Sequence, residues 1–146
     1  MEVLSKHFGI SYFSYSKITF KTNMETFNRF FFIFWILAFM LFAYWQFNDP
    51  DPHIWVPVYL VAALYSGMAL KGVHPLVPLG VVILACVVGA VYFYPDSVTE
   101  WVGYELAQKD LSMKTQASEE ARETFGLLII AAVLTYSFVL GWKKRN

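Results

Sequence analysis

The chain has 146 residues, of which 58% are hydrophobic and only 15% charged; a soluble domain carries about a quarter charged residues, so a soluble globular class is excluded. Fourteen Phe, nine Tyr and five Trp and a mean hydropathy of +0.48 point instead to a membrane protein. The single cysteine, Cys86, excludes an internal disulfide or a thiolate metal cluster, the zero net charge says nothing by itself, and no nucleic-acid partner is expected.

Residues 1–26 mix Lys6, Lys17 and Lys21 with Phe8, Tyr12, Phe13, Tyr15 and Phe20. They contain no apolar signal-peptide core followed by a small-residue cleavage site. Basic and aromatic side chains together suit a segment lying on an anionic membrane surface, with a disordered tail as the alternative. A first span is expected over residues 27–47, where Arg29 is the only charge; ~20 residues at ~1.5 Å each cross the ~30 Å hydrocarbon core. Its aromatic residues are read as bulk facing lipid or a partner, with Tyr44 and Trp45 at the interfacial belt.

Asn48-Asp49-Pro50-Asp51-Pro52-His53 then separates two apolar runs. A residue before proline is pushed into extended backbone, so Asp49 and Asp51 are expected to be extended; a β-like run would put Asp49, Asp51 and His53 on one side, while a polyproline II run, with a period of three, would weaken that alignment. A second span follows at residues 54–70, with Pro57 placed in its first turn. Ala62/Ser66 and Ala63/Gly67 form small-xxx-small pairs that permit close helix approach. Residues 71–75 make a tight turn that includes His74, a third span covers residues 76–94, and Ala85/Gly89 and Cys86/Ala90 give it small faces as well.

Ser97-Val98-Thr99-Glu100 fits a capping box. Val98, Trp101, Val102, Glu105 and Leu106 repeat at helical spacing, predicting a short amphipathic helix in the interface, followed by a polar loop over residues 109–118. A fourth span occupies residues 120–142, stopped by the basic tail at 143–146. The expected fold class is therefore an all-α membrane protein, a four-transmembrane-helix bundle with one interfacial helix between spans 3 and 4.

With an even number of crossings, one side carries Lys6, Lys17, Lys21, Arg29, Lys71, Lys143, Lys144 and Arg145, and the other only Lys109, Lys114 and Arg122. Basic residues near span ends stay inside. Both termini are expected in the cytoplasm of a cell, at the plasma or bacterial inner membrane. The Asp-Pro-Asp-Pro turn and Glu119-Glu120-Ala121-Arg122-Glu123 then share the outer rim.

Glutamates in a first turn suit the positive end of the helix dipole, and Arg122 can pair with Glu119 at helical spacing. If Glu120 and Glu123 meet Asp49 and Asp51, two carboxylates ~4 Å apart repel by ~4 kcal/mol at an effective dielectric of ~20. Such a cluster needs a cation, a shared proton or Arg122 between its members. A salt-bridge network pinning the turn to the fourth helix is favoured. The other reading is a divalent cation, Ca²⁺, Mg²⁺ or Mn²⁺, held by Asp49, Asp51, Glu120 and Glu123, with Zn²⁺ or Fe²⁺ admitted if His53 joins.

Gln46-Phe47-Asn48-Asp49-Pro50-Asp51 with Trp55 and Tyr59, and Glu119-Glu120-Ala121-Arg122-Glu123 running into Gly126-Leu127-Leu128-Ile129-Ile130, resemble the transmembrane protein 220 family over roughly residues 27–142. The resemblance implies a small multi-pass membrane protein and brings no established biochemical activity with it. It also pairs the two acidic motifs, and implies a site built from Asn48, Asp49, Asp51, Trp55, Tyr59, Glu120, Arg122 and Glu123. Pro52 and His53 depart from the family pattern, which lowers the weight of His53 as a ligand.

Three functional classes stand. An accessory or binding module beside a larger membrane-protein complex ranks first, and a metal-dependent membrane enzyme using these carboxylates second. A transporter component ranks third, because no Asp, Glu, Lys or Arg lies mid-span, where a coupling site belongs. No catalytic residue is assigned.

Overall fold

The structure, a computed structural model, describes residues 2–94, 103 and 116–146. Among these it is all-helical and without strands: α1 is Glu2–Trp45, a 3-10 turn covers Gln46–Asn48, α2 is Pro52–Leu70, α3 is Leu76–Tyr92 and α4 is Gln116–Arg145. The interfacial helix expected at residues 97–106 and the loop at 109–118 fall almost entirely outside the described residues.

The helix carrying the first span starts at Glu2 and runs for 44 residues, so residues 2–26 continue the span's backbone. The physical reason is the absence of a breaker: no proline interrupts residues 2–45, and Gly9 is the one glycine there. The apolar portion is Asn23–Trp45.

At the other end of α1 the chain tightens into the 3-10 turn, and the Asp49 N–H donates to the Gln46 carbonyl at 3.1 Å. Asp49 is extended (φ −84°, ψ 159°), as a residue before proline should be. Asp51 departs from that expectation at φ −128°, ψ 54°, because it is already the N-cap of a helix whose first residue is Pro52. A first-turn proline loses no helical hydrogen bond, so α2 begins two residues earlier than the hydropathy suggests. Two corrections follow. His53 belongs to the first helical turn and is exposed, so it does not alternate with Asp49 and Asp51. Pro57 lies inside the helix, where it removes the bond its N–H would have made to the His53 carbonyl.

The helices pack as two pairs. α1 lies along α2 and α3 along α4, and a narrower α2–α4 seam joins the pairs. On α1, Phe32 and Phe39 are fully buried, and Phe39 and Phe42 meet the Tyr59 ring of α2 at centroid distances of 6.5 and 5.6 Å. Several of the aromatic residues expected to face lipid or a partner are therefore core. Between α3 and α4 the small residues Cys86 and Ala90 are buried, and Leu127 packs against Gly89, where a Cβ would lie 2.9 Å from its Cδ1. Thr124 of α4 donates to the Phe93 carbonyl at 2.7 Å, satisfying an orphan acceptor at the end of α3. Tyr136 of α4 donates to Asn28 Oδ1 of α1 at 2.6 Å.

The outward faces are apolar. Phe30, Phe34, Leu37 and Leu41 are exposed on α1, and Val77, Val81, Leu84, Val88 and Val91 on α3, at the three- and four-residue spacing that marks one side of a helix. Contiguous apolar faces of this extent are what a bilayer covers. α1, α2 and α4 contain stretches long and apolar enough to cross it. α3, with 17 residues, sits at the short end of the spanning range of ~17–25. Lys143, Lys144 and Arg145 form the last turn of α4 and do not stop it before residue 143; cations there suit the negative end of the helix dipole.

Candidate acidic site

The 46–51 turn lies against α4 at one rim of the bundle, and the contact encloses a small cavity. Its volume is about 20 Å³, and Gln46, Asp49, Asp51, Trp55, Tyr59, Arg122 and Glu123 line it. Each side chain arrives for a local reason. Pro50 and Pro52 fix the backbone either side of Asp51, Trp55 and Tyr59 stand one turn apart on α2, and Arg122 and Glu123 follow each other on α4. Tyr59 is buried, and the charges of Asp49, Arg122 and Glu123 all act on its hydroxyl.

Six of the expected site residues meet here: Asp49, Asp51, Trp55, Tyr59, Arg122 and Glu123. Glu120 is half-buried on α4 and His53 is exposed on α2; neither lines the cavity. The side chains of Asn48 and Glu119 lie outside the described residues. Gln46 is the member that pattern reasoning passes over as a site residue. Its signal is its place at the head of the Gln-Phe-Asn-Asp-Pro-Asp run, three residues before Asp49.

With three carboxylates and one guanidinium around the cavity, the formal charge is −2. Asp49 and Glu123 both have interacting neighbours. Two buried atoms have no hydrogen-bond partner among the described residues: Asp51 Oδ1 and Trp55 Nε1. They need opposite things, since an ionised carboxylate only accepts and an indole N–H only donates. Leaving each unmet costs about 1–3 kcal/mol. Among the described residues no group of three or more His, Cys, Asp or Glu is arranged to hold a metal ion; the three carboxylates share a cavity without converging on one point.

Four packed helices with apolar outer faces and a charged pocket at one rim define a multi-pass membrane protein. Residues 38–139 match the family model described as transmembrane family 220, helix, a stretch that takes in the turn, all of α2 and α3, and the Arg122–Glu123 end of α4. The match covers well over half of the chain, and the protein belongs to this family. No curated protein sequence and no solved structure gives a significant match.

Proposed function

We propose that the protein is a binding or accessory module of the membrane, in which the acidic cavity is a clamp that holds the Asp-Pro-Asp-Pro turn against α4. The observation that carries this reading is the gathering of Asp49, Asp51, Arg122 and Glu123 around about 20 Å³ of space. That is the size of one water molecule, which needs ~10–15 Å³. Small-molecule sites occupy ~300–1,000 Å³, a far larger space than the one between these carboxylates. A water accepting from Trp55 Nε1 and donating to Asp51 Oδ1 satisfies both orphaned atoms. Arg122, placed among the three acids, then offsets their mutual repulsion. The rigid turn and the apolar faces of α1 and α3 are what a larger membrane-protein partner would bind.

A divalent cation is the second reading. A formal charge of −2 and all-oxygen donors suit a hard ion such as Ca²⁺ or Mg²⁺, but Asp49, Asp51 and Glu123 would have to shift to converge on it, with Glu120 turning in from the preceding turn of α4. It leaves the Trp55 N–H unanswered, since a cation cannot accept a hydrogen bond. By the excess of basic residues at the opposite rim, the clamp faces away from the cytoplasm and both termini face it, at a plasma or bacterial inner membrane.

Purification in mild detergent with metal analysis separates the readings. The clamp predicts a stoichiometric protein partner, no stoichiometric ion and a stability unchanged by chelator. One equivalent of Ca²⁺ or Mg²⁺ lost in Asp51→Asn would replace the clamp by the cation site.

A further inference from the structure

The rim opposite the acidic turn holds a far larger cavity, about 530 Å³, within the ~300–1,000 Å³ range of ligand sites. Its polar lining is cationic: Arg29 from α1, Lys71 from the 71–75 turn and Lys144 from α4, against the single acid Glu25. With His74 neutral the formal charge is +2. The Lys144 ammonium is drawn over the turn, donating to the Gly72 carbonyl at 3.4 Å. Gly72 has φ 76°, a left-handed conformation suited to glycine. Beneath this rim the lining is apolar, with the fully buried Phe32 and with Leu140, and Ile33 continues it to the exposed side of α1.

Basic residues at one rim are expected of any multi-pass chain. Their convergence from three separate elements on one recess, with an apolar floor open toward the lipid side, is a further property. A guanidinium offers a planar fork for phosphate oxygens, and an ammonium a point charge beside it. We propose that this basin binds a phosphate group, with the headgroup of an anionic phospholipid as the source that the apolar floor favours. Arg29, Lys71 and Lys144 supply the charged contacts to the phosphate oxygens.

The test uses the full chain in lipid nanodiscs and in detergent, with native mass spectrometry counting bound lipid and thermal unfolding reading its effect. The probes are phosphatidylglycerol, phosphatidylcholine and inorganic phosphate. Arg29→Gln/Lys144→Gln is compared with Lys143→Gln/Arg145→Gln, which removes the same charge from residues that do not line the basin. Expected is one phosphatidylglycerol retained per chain, with affinity falling at least about tenfold in R29Q/K144Q, which deletes two charge-assisted contacts, and unchanged in K143Q/R145Q. Inorganic phosphate bound without any phosphatidylglycerol preference, and lost in the same pair, would uphold the phosphate chemistry and assign a free phosphate compound as its source. Equal losses in both double variants would overturn the proposal, as would no preference over phosphatidylcholine together with no phosphate binding. If R29Q/K144Q fails to fold, Lys71→Gln on the exposed turn, set against Lys143→Gln, carries a charge-matched comparison.

Discussion

The hydroxyl of Tyr59 rests against the α-carbon of Gly126, so closely that a methyl group at position 126 would overlap it. This contact sets the α2–α4 separation one turn below Arg122, and so sets how near the acidic turn comes to α4. Gly126→Ala gains ~1 kcal/mol of helix propensity, but overpacking costs ~1–3 kcal/mol. A net destabilisation is expected in detergent unfolding, partly recovered by adding Tyr59→Phe, which removes the nearest clashing atom. A G126A variant as stable as the parent would mean that the seam is looser than described.

Thr124 is buried and its hydroxyl donates to the Phe93 carbonyl at the end of α3. Thr124→Val keeps the shape and deletes the donor, leaving that carbonyl unpaired at a cost of about 1–3 kcal/mol. Hydrogen exchange should rise selectively in the last turn of α3. Thr124→Ser should retain the bond and the protection.

The helices were readable because apolar runs and proline punctuation act locally. Pro50 and Pro52 locate the break between α1 and α2 from sequence alone, and hydropathy finds the cores of the helices. The start of α1 was not readable, since polar and aromatic residues at 2–26 form a helix without being apolar enough to announce a span. Part of the site was legible for the same local reason: Asp49 and Asp51 stand out beside their prolines. That Arg122 and Glu123, and not Glu120, turn toward them depends on the rotation of α4, which the Tyr59–Gly126 and Leu127–Gly89 contacts decide. No local pattern records that rotation. His74 illustrates the same limit. It reads as a turn residue, yet it bonds the fully buried Ser137 of α4 at 2.9 Å.

His74 also carries a pH signature. Burial holds its pKa below the usual 6.5, the nearby Lys144 charge adds to the lowering, and the Ser137 bond opposes it. The unfolded chain therefore binds a proton first as pH falls. Stability is full above about 6.5 and declines below it, until the folded pKa is passed. Unfolding temperature measured from pH 7.5 to 5 is expected to fall in the parent. The fall should be smaller in His74→Gln, whose side chain keeps a hydrogen-bonding group for Ser137 but does not titrate.

Topology can be read by single-cysteine labelling, because the native Cys86 is buried and contributes little background. Pro50→Cys should react with a membrane-impermeant maleimide in intact cells. Asn146→Cys should react only after permeabilisation. The reverse pattern would place the acidic rim in the cytoplasm.

The clamp itself is tested most directly by a double-mutant cycle between Asp49 on the turn and Arg122 on α4. If the acidic cavity is one coupled unit, Asp49→Asn and Arg122→Gln will each destabilise the fold. The double variant will then cost less than their sum, by about 1 kcal/mol or more, within the range of neighbouring charged groups. Additivity to within ~0.3–0.5 kcal/mol, the behaviour of independent sites, would contradict the clamp.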